Sequence, residues 1–253
     1  NAIAKFESLL SMEQAGFSLT ALEKYCNLRS KLCIKNWYSG KEKNKQLANV
    51  DKVIGDLKQL INMSPTAERL SLIGSAYKRK AMIPTTNPER VKALIVAAGF
   101  YKQAYNMPQN SNPTYSLINW LEIEKILFLV KSKPGISSII KKYKFTPPQQ
   151  AKAEIAEAIK KLTSTDGNMD FWKEIAKANA LLCAWSIEGK NTKELTDKMV
   201  VDAYKKVWSI AGSQNKKVAE IEHFDFLIDA YTDLVKKPAN INAIKKIKQD
   251  LEK

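Results

Sequence analysis

Two stretches of the chain decide its fold: residues 70–77 read Leu-Ser-Leu-Ile-Gly-Ser-Ala-Tyr, and residues 97–104 read Ala-Ala-Gly-Phe-Tyr-Lys-Gln-Ala. Both place small residues and large apolar residues three or four positions apart, so that each kind lies along one side of an α-helix. Small residues let two helices approach closely, and the large residues beside them fill the remaining space. The two stretches therefore predict a hairpin of antiparallel helices.

Helical spacing of apolar residues continues on both sides of this hairpin, and no segment of any length alternates with period two. Further apolar stripes cover residues 19–32, 50–61, 117–127 and 218–234. Each stripe is an amphipathic face that must pack on another helix. We expect an all-α fold of about nine to eleven helices. We also expect one helical domain over residues 1–253, carried as part of a longer chain.

The interruptions between stripes contain residues that begin helices. Ser64 and Pro65 predict a helix capped by the serine, with proline at its first position, and Asn87 and Pro88 predict the same for the next helix. None of the interruptions is long enough for an interdomain linker. Helices joined by short loops are therefore expected throughout.

The opening stretches resemble the tetratricopeptide repeat. The residues that carry this resemblance are Leu70, Ile73, Gly74 and Tyr77 in the first helix and Ala97, Tyr101 and Ala104 in the second. A looser match follows at Trp172, Ile175, Ala176 and Asn179, and then at Val200, Tyr204 and Val207. The first two signatures lie about eleven residues further apart than in a standard repeat, with the surplus in residues 81–92. The resemblance implies a right-handed α-solenoid of antiparallel helical hairpins.

Residues 66–125 are also similar to a degenerate repeat region, the TRAF-binding region of apoptosis-signal-regulating kinases, and to bacterial segments of the same kind. This likeness rests on residues 72–80, 97–105 and 115–119, and residues 170–235 share it loosely. In bacteria, similar helical segments are often fused to effector domains such as caspase-like peptidases. The resemblance implies a solenoid that regulates or recruits something attached to it or bound by it.

The composition argues against several functional classes. The chain has 253 residues with 45% hydrophobic residues, an ordinary globular balance that argues against disorder. Its apolar runs are shorter than the ~18 residues that a membrane helix needs. One histidine and three scattered cysteines are too few for a zinc site or a histidine-based catalytic site. We expect no catalysis, no cofactor and no metal, with a carboxylate-based hydrolase as the remaining enzyme class.

The cysteines and the histidine have simple structural interpretations. Cys26, Cys33 and Cys183 are odd in number and lack the spacing of a disulfide framework, which favours buried thiols and a cytoplasmic location. His223 lies beside an apolar stripe, where we expect it at the boundary of the core. Glu122 and Glu124 lie two positions apart on a helix, so they cannot share a proton. They form either a solvent-facing stripe or a polar spot on a binding groove.

The basic charge suggests a second class of partner. The chain has 41 basic and 26 acidic side chains, a net charge of +15. The excess is spread evenly, and 37 of the 41 basic residues are lysine, whereas nucleic-acid recognition favours the planar arginine fork. Stacked helices can nevertheless align dispersed lysines on one wall. The densest basic runs cover residues 78–80, 141–144 and 245–248, and the middle run includes a tyrosine, which favours RNA or an acidic protein segment.

We therefore predict a non-catalytic module for protein–protein interaction and regulation, a scaffold within a larger signalling or bacterial effector protein. We expect its partner to be a protein or a peptide, with acidic polypeptides among the candidates. We expect no binding to a membrane. A helical-repeat module that binds RNA through dispersed lysines is the alternative. Polar residues on the predicted first helices would contact the partner; these are Arg69, Lys78, Asn119, Lys173 and Asn179.

Overall fold

The computed structural model describes residues 3, 5, 6, 8, 18–83, 85–163, 171–189, 191–193, 195–210, 214–236 and 238–252. Within these ranges the chain forms eleven bounded α-helices and one π-helical turn, without a β-strand. The predicted all-α class is therefore confirmed. The chain has two compact units, unit 1 from Asn1 to Ser111 and unit 2 from Asn112 to Lys253. That residues 1–253 act as one domain stays a prediction.

Unit 1 contains successive helices that pack on one another. They are α1 Leu19–Tyr38, α2 Lys43–Met63, α3 Ala67–Met82 and α4 Asn87–Tyr105. Each helix contacts the next, and α1 also contacts α3. Contact between the first helices of neighbouring hairpins is the packing of a helical-repeat stack, so the predicted solenoid packing is confirmed for these helices.

The hairpin of α3 and α4 is held together where the two opening stretches meet. The ring of Tyr101 is fully buried, and a Cβ atom built on Gly74 would lie 3.1 Å from its Cδ2 atom. Only glycine leaves enough room at this crossing without displacing the ring. The hydroxyl groups of Ser75 and Tyr101 are 2.8 Å apart and hydrogen-bonded. The small residues therefore permit the close approach that the sequence predicted.

Threonines cap α3 and α4, so the predicted caps at Ser64 and Asn87 are wrong. Thr66 accepts a hydrogen bond from the backbone N–H of Arg69 at 3.2 Å. Thr86 and Glu89 form a reciprocal capping box, in which each side chain bonds to the backbone of the other. In both cases the threonine lies at the spacing that reaches the third helical N–H. The surplus residues 81–92 thus lengthen the two helices and add little loop.

Unit 2 has a longer series of helices. They are α5 Pro113–Val130, α6 Ser137–Ile140, α7 Pro148–Thr163, α8 Phe171–Glu188, α9 Asp197–Ile210, α10 Gln214–Asp229 and α11 Pro238–Glu252. The π-helical turn Ala230–Val235 directly follows α10. Helix α8 packs on α5, α7 and α9, and α10 packs on α11. The looser repeat predicted around residues 172–207 is therefore a helical hairpin of α8 and α9.

The cores of both units contain the apolar stripes and the cysteines. Cys26, Cys33 and Cys183 are free and buried, as predicted. The π-helical turn ends at Lys236, whose backbone is left-handed with φ of 59° and whose N–H bonds to Tyr231 O at 2.8 Å. This bond closes the wide turn and stops the helix.

Candidate functional site

The five residues predicted to contact a partner lie in both units. Arg69 and Lys78 belong to α3 of unit 1, whereas Asn119 belongs to α5 and Lys173 and Asn179 to α8 of unit 2. Arg69, Lys78 and Asn119 are buried, while Lys173 and Asn179 are half-buried. Contact of these residues with a partner stays a prediction. Their surroundings show what several of them do within the fold.

Arg69 joins three helices of unit 1. Its Nε donates to the carboxylate of Glu23 on α1 at 2.7 Å. Its Nη1 donates to the backbone oxygens of Leu60 at 3.2 Å and Ser64 at 2.5 Å, at the end of α2. A guanidinium has several donors in a fixed plane, so one buried side chain can satisfy a carboxylate and two helix-end carbonyls together. These bonds occupy Arg69 inside the unit.

The basic run 78–80 is directed largely into the protein. Lys78 and Arg79 are buried. Nη1 of Arg79 donates to Ser30 Oγ at 2.9 Å and to Asn27 Oδ1 at 3.3 Å, while Lys80 pairs with an aspartate of α2. Basic runs usually lie on solvated surfaces, and the sequence analysis missed this inward orientation. The clue available in the sequence was position, because residues 70–77 already form the closely packed part of the same helix.

Asn119 and Lys173 differ in exposure within unit 2. The side-chain amide of Asn119 donates to the backbone oxygen of Tyr115 one turn earlier, at 2.9 Å, and the residue is buried. Lys173 lies in the first turn of α8, next to Trp172, which is 58% exposed. Of these two predicted contacts, Lys173 is therefore the more accessible one.

Asn179 connects three helices of unit 2. Its Nδ2 donates to Glu220 Oε2 on α10 at 3.0 Å, and its Oδ1 accepts a hydrogen bond from the hydroxyl of Tyr204 on α9. Burial, followed by the charge of Glu220, raises the pKa of Tyr204 well above its usual value. The phenol therefore stays protonated and donates to the amide. This network orients α8, α9 and α10 around one another.

Glu122 is a buried carboxylate opposite the only histidine of the sequence. It is 2% exposed, and its Oε2 lies 3.1 Å from Nε2 of His223 on α10, which is half-buried at the core boundary as predicted. The solvent-facing stripe is therefore wrong, because Glu122 and Glu124 are both buried. Burial, followed by the charge of Glu122, raises the pKa of Cys183 well above its usual value. That thiol is consequently protonated and unreactive.

Glu124 has a separate set of partners. Its Oε1 accepts a hydrogen bond from the Tyr143 hydroxyl at 2.9 Å, and its Oε2 accepts one from the backbone N–H of Thr146 at 3.0 Å. Burial, followed by the negative charge of Glu124, raises the pKa of Tyr143 above its usual value. Hydrogen bonds to a charged acceptor are among the stronger ones in proteins. Glu124 thus fastens the segment before α7 to helix α5.

A cluster of aromatic and basic side chains forms around this segment, and we name it the basic–aromatic surface. The ring centroids of Phe128 and Phe145 are 5.7 Å apart at 89°, and those of Tyr143 and Phe145 are 4.9 Å apart at 67°. Nζ of Lys131 lies 3.6 Å from the Phe128 ring centroid. The surface comprises Phe128, Lys131, Lys141, Lys142, Tyr143, Lys144 and Phe145, and its four lysines are exposed.

The described residues form neither a metal-binding cluster nor a membrane span. Among the described residues, no group of three or more histidine, cysteine, aspartate or glutamate side chains is arranged to hold a metal ion. In the same part of the chain, every helix is too short or too polar to traverse a lipid bilayer.

Comparison with known families gives one match. The family model described as Tetratricopeptide Repeats-Sensor matches residues 1–127, which is 127 of the 253 residues and therefore half of the chain. Comparison with curated proteins and with solved structures finds no match. The matched residues include helices α1 to α4 and most of α5. The predicted resemblance to tetratricopeptide repeats is therefore confirmed at the level of the repeat.

Proposed function

Because the chain belongs to the tetratricopeptide-repeat sensor family, we propose that it is a non-catalytic module that binds a protein partner and regulates a larger signalling or effector protein. Residues 1–253 act as one scaffold within that longer chain. We place the module in the cytoplasm, in keeping with its three free, buried thiols. The relation to kinase and bacterial effector regions is part of this proposal.

The observation that carries the proposal is the helical-repeat packing of unit 1. Helices α1 to α4 contact one another in succession, and α1 also contacts α3. Gly74 and Tyr101 interlock at the hairpin crossing, as the repeat requires. Stacks of this kind present extended surfaces to other polypeptides, and tetratricopeptide repeats typically bind proteins. The packing therefore supports a partner-binding function.

We further propose that contacts with the partner centre on the first half of α8. Trp172 is 58% exposed, and its ring packs edge to face on Phe171 with centroids 5.1 Å apart. Exposed tryptophans are common anchors in interfaces because they bury a large area with few rotatable bonds. Lys173 is adjacent, and Asn179 lies seven positions after Trp172 on the same helix side. These two predicted residues would supply polar contacts beside the anchor.

The other three predicted residues have an indirect role in this proposal. Arg69, Lys78 and Asn119 are buried, so we propose that they support the partner-binding surfaces from inside the two units. Replacing them would weaken binding through loss of folded structure. Variants at these positions are consequently unsuitable for locating the interface, whereas Trp172 and Lys173 are accessible to a partner.

The test is affinity capture with the full chain from native extract, carried out with and without nuclease. We expect the same protein to be retained under both conditions and its recovery to fall for Trp172→Ala. Met63→Ala is the matched control, because Met63 is 69% exposed in unit 1 and its loss should leave recovery unchanged. Recovery that collapses after nuclease treatment would replace this function with RNA binding through lysines. Equal recovery with the two variants would overturn the α8 contact site.

A further inference from the structure

We propose that the basic–aromatic surface of unit 2 is the docking site for an acidic peptide segment in which carboxylates alternate with apolar side chains. This inference rests on the proposed function, since it names the chemistry of a protein partner. The surface lies after residue 127 and therefore outside the part of the chain matched by the family. It is thus separate from the repeat signature at residues 70–104.

The sequence around the basic–aromatic surface is strongly positive. Residues 125–153 contain seven lysines and no aspartate or glutamate, giving this stretch a charge of +7. Three of the seven are occupied: Lys125 and Lys133 donate to backbone oxygens, and Lys152 pairs with Glu188 at 2.5 Å. The remaining four are the exposed lysines of the basic–aromatic surface. Their combined field attracts a polyanion and disfavours a basic partner.

Three of these exposed lysines are available to an incoming carboxylate. Within the described ranges, no carboxylate lies in ion-pair contact with Lys141, Lys142 or Lys144. Surface lysines commonly pair with acidic neighbours, but the nearest acidic residue before them, Glu124, is buried and occupied by Tyr143 and Thr146. An incoming carboxylate would therefore meet cations that need not first release another partner.

The segment that carries Lys144 is already held in place by Glu124. Glu124 fixes Tyr143 by its hydroxyl and Thr146 by its backbone N–H, and these two residues flank Lys144. The rings of Tyr143 and Phe145 pack edge to face. A surface that is ordered before binding loses less conformational entropy when a ligand arrives. The lysines therefore project from a preorganised base.

The aromatic component favours a peptide over a nucleic acid. Phe128 is 45% exposed, yet Lys131 lies 3.6 Å from its ring centroid, and Phe145 packs against the same residue edge to face. A nucleobase needs an open ring face on which to stack. Unit 2 also contains no arginine, the side chain that grips phosphate with two parallel bonds. Lysine point charges beside partly exposed rings suit carboxylates and apolar side chains.

The experiment is a binding titration by fluorescence anisotropy with the full chain. The probe is a short labelled peptide in which glutamates alternate with leucine and phenylalanine. A peptide with glutamine in place of each glutamate tests the charge, and a labelled oligouridylate of similar length tests nucleic acid. The variant is the triple change Lys141→Gln, Lys142→Gln and Lys144→Gln. The matched control is Lys41→Gln, Lys43→Gln and Lys45→Gln, which removes the same charge from exposed lysines of unit 1.

We expect the surface triple variant to weaken binding of the glutamate peptide by about tenfold, and the control triple to weaken it less than about twofold. Phe128→Ala should also weaken binding, since the apolar side chains of the peptide pack on this ring. Equal losses with both triple variants would overturn the proposal, because binding would then follow net charge alone. Tighter binding of oligouridylate than of the glutamate peptide at the same ionic strength would also overturn it.

The outcomes separate this inference from the proposed function. Nuclease-resistant capture of a protein, together with failure of the peptide titration, would show that only the docking surface is wrong. Loss of capture after nuclease, together with tight binding of oligouridylate to the lysines, would refute both. The two experiments use the same full chain, so differences in folding between samples do not enter the comparison.

Discussion

Units 1 and 2 are both helical, but they bury charges of opposite sign. In unit 1, Arg69, Arg79 and Arg90 are buried and donate to side-chain or backbone oxygens of the same unit. Unit 2 has no arginine, and the buried charged residues among those that the structure describes there are Glu122 and Glu124. A guanidinium can bond several acceptors at once, whereas a carboxylate needs donors that approach its two oxygens.

The cations of the two units therefore differ in role. Those of unit 1 bond inside the fold, whereas the lysines of the basic–aromatic surface are exposed to solvent. The arginines of unit 1 bind helix ends and neighbouring helices, so they are part of what holds the repeat together. In unit 2, Glu124 holds the segment beneath the basic–aromatic surface, and the lysines of that surface remain exposed. The same basic composition therefore supports folding in one unit and, in our proposal, partner binding in the other.

The largest expected effect is the loss of Arg69. Arg69→Ala would leave two helix-end carbonyls and Glu23 without their shared donor, and should lower the free energy of unfolding by about 3–5 kcal/mol. Urea unfolding gives the total loss, and amide hydrogen exchange of α1 to α3 shows that it arises in unit 1. Arg69→Lys keeps the charge but not the fork and should lose an intermediate amount. A loss below about 1 kcal/mol would contradict a structural role for this cation.

Two single glycine substitutions, compared with each other, test the repeat geometry of unit 1. Gly74→Ala places a Cβ 3.1 Å from the Tyr101 ring and should cost about 1–3 kcal/mol through overpacking. Gly55→Ala on α2 meets nothing within 4 Å and should stabilise the chain by about 0.5–1 kcal/mol, because alanine is the better helix former. Thermal unfolding of both variants measures the difference. Changes of the same sign would show that the close crossing of α3 and α4 does not exist in solution.

In unit 2, Tyr143→Phe should cost about 1.5–3 kcal/mol at neutral pH, since it removes a hydrogen bond to a buried carboxylate. In the folded chain the pKa of Tyr143 lies above 10.0, the ordinary value of a tyrosine. As the pH rises, Tyr143 therefore loses its proton in the unfolded chain first. The contribution is therefore fully present below about pH 10 and is lost as the pH rises toward the folded value. Unfolding free energies measured across this range for wild type and variant give the difference.

Tyr115→Phe, at an exposed position of α5, is the control for the alkaline experiment. Its stability should follow that of the wild-type chain at every pH. If the difference between wild type and Tyr143→Phe stays constant above pH 10, the raised pKa of Tyr143 is wrong.

The smallest expected change in the free energy of unfolding comes from replacing Glu122, one of the two buried carboxylates of unit 2. Glu122→Gln removes a buried charge whose only close polar partner in the described residues is His223, and should change the free energy of unfolding by no more than about 1 kcal/mol. Glu124→Gln should lose more, because its amide nitrogen would face a donor. Urea unfolding of both variants ranks them. A greater loss at Glu122 would show that its contact with His223 is a principal support of unit 2.

The fold was predictable wherever local spacing decides packing. Small residues at Gly74, Ala97 and Ala104 imply a close helix crossing, and residues at helical intervals show which face is buried. Burial of Cys26 and Cys33 also followed from position, since Cys26 lies in the apolar stripe over residues 19–32 and Cys33 lies seven positions later on the same side of the helix. The predicted cap at Ser64 lies two residues before Thr66, and the predicted cap at Asn87 lies one residue after Thr86. Serine, threonine and asparagine are near-equivalent caps, and only geometry selects the one that reaches the third N–H.

The buried charges were not predictable by the same means. The burial of Arg69 depends on carbonyls at the end of α2. The burial of Glu124 depends on Tyr143 and Thr146, which follow it by 19 and 22 residues. Local patterns assign charged residues to the surface, which is correct for most of them. To predict a buried charged residue, one must know which donors and acceptors from distant parts of the sequence face each other in the fold.

The most direct test of the account is whether the chain retains a protein partner independently of nucleic acid. Paired affinity captures of the full chain, with and without nuclease, should be quantified by mass spectrometry. We predict that the same protein is enriched to the same extent in both captures. Loss of that protein after nuclease treatment would contradict the account, since the chain would then be held to its partners through RNA or DNA.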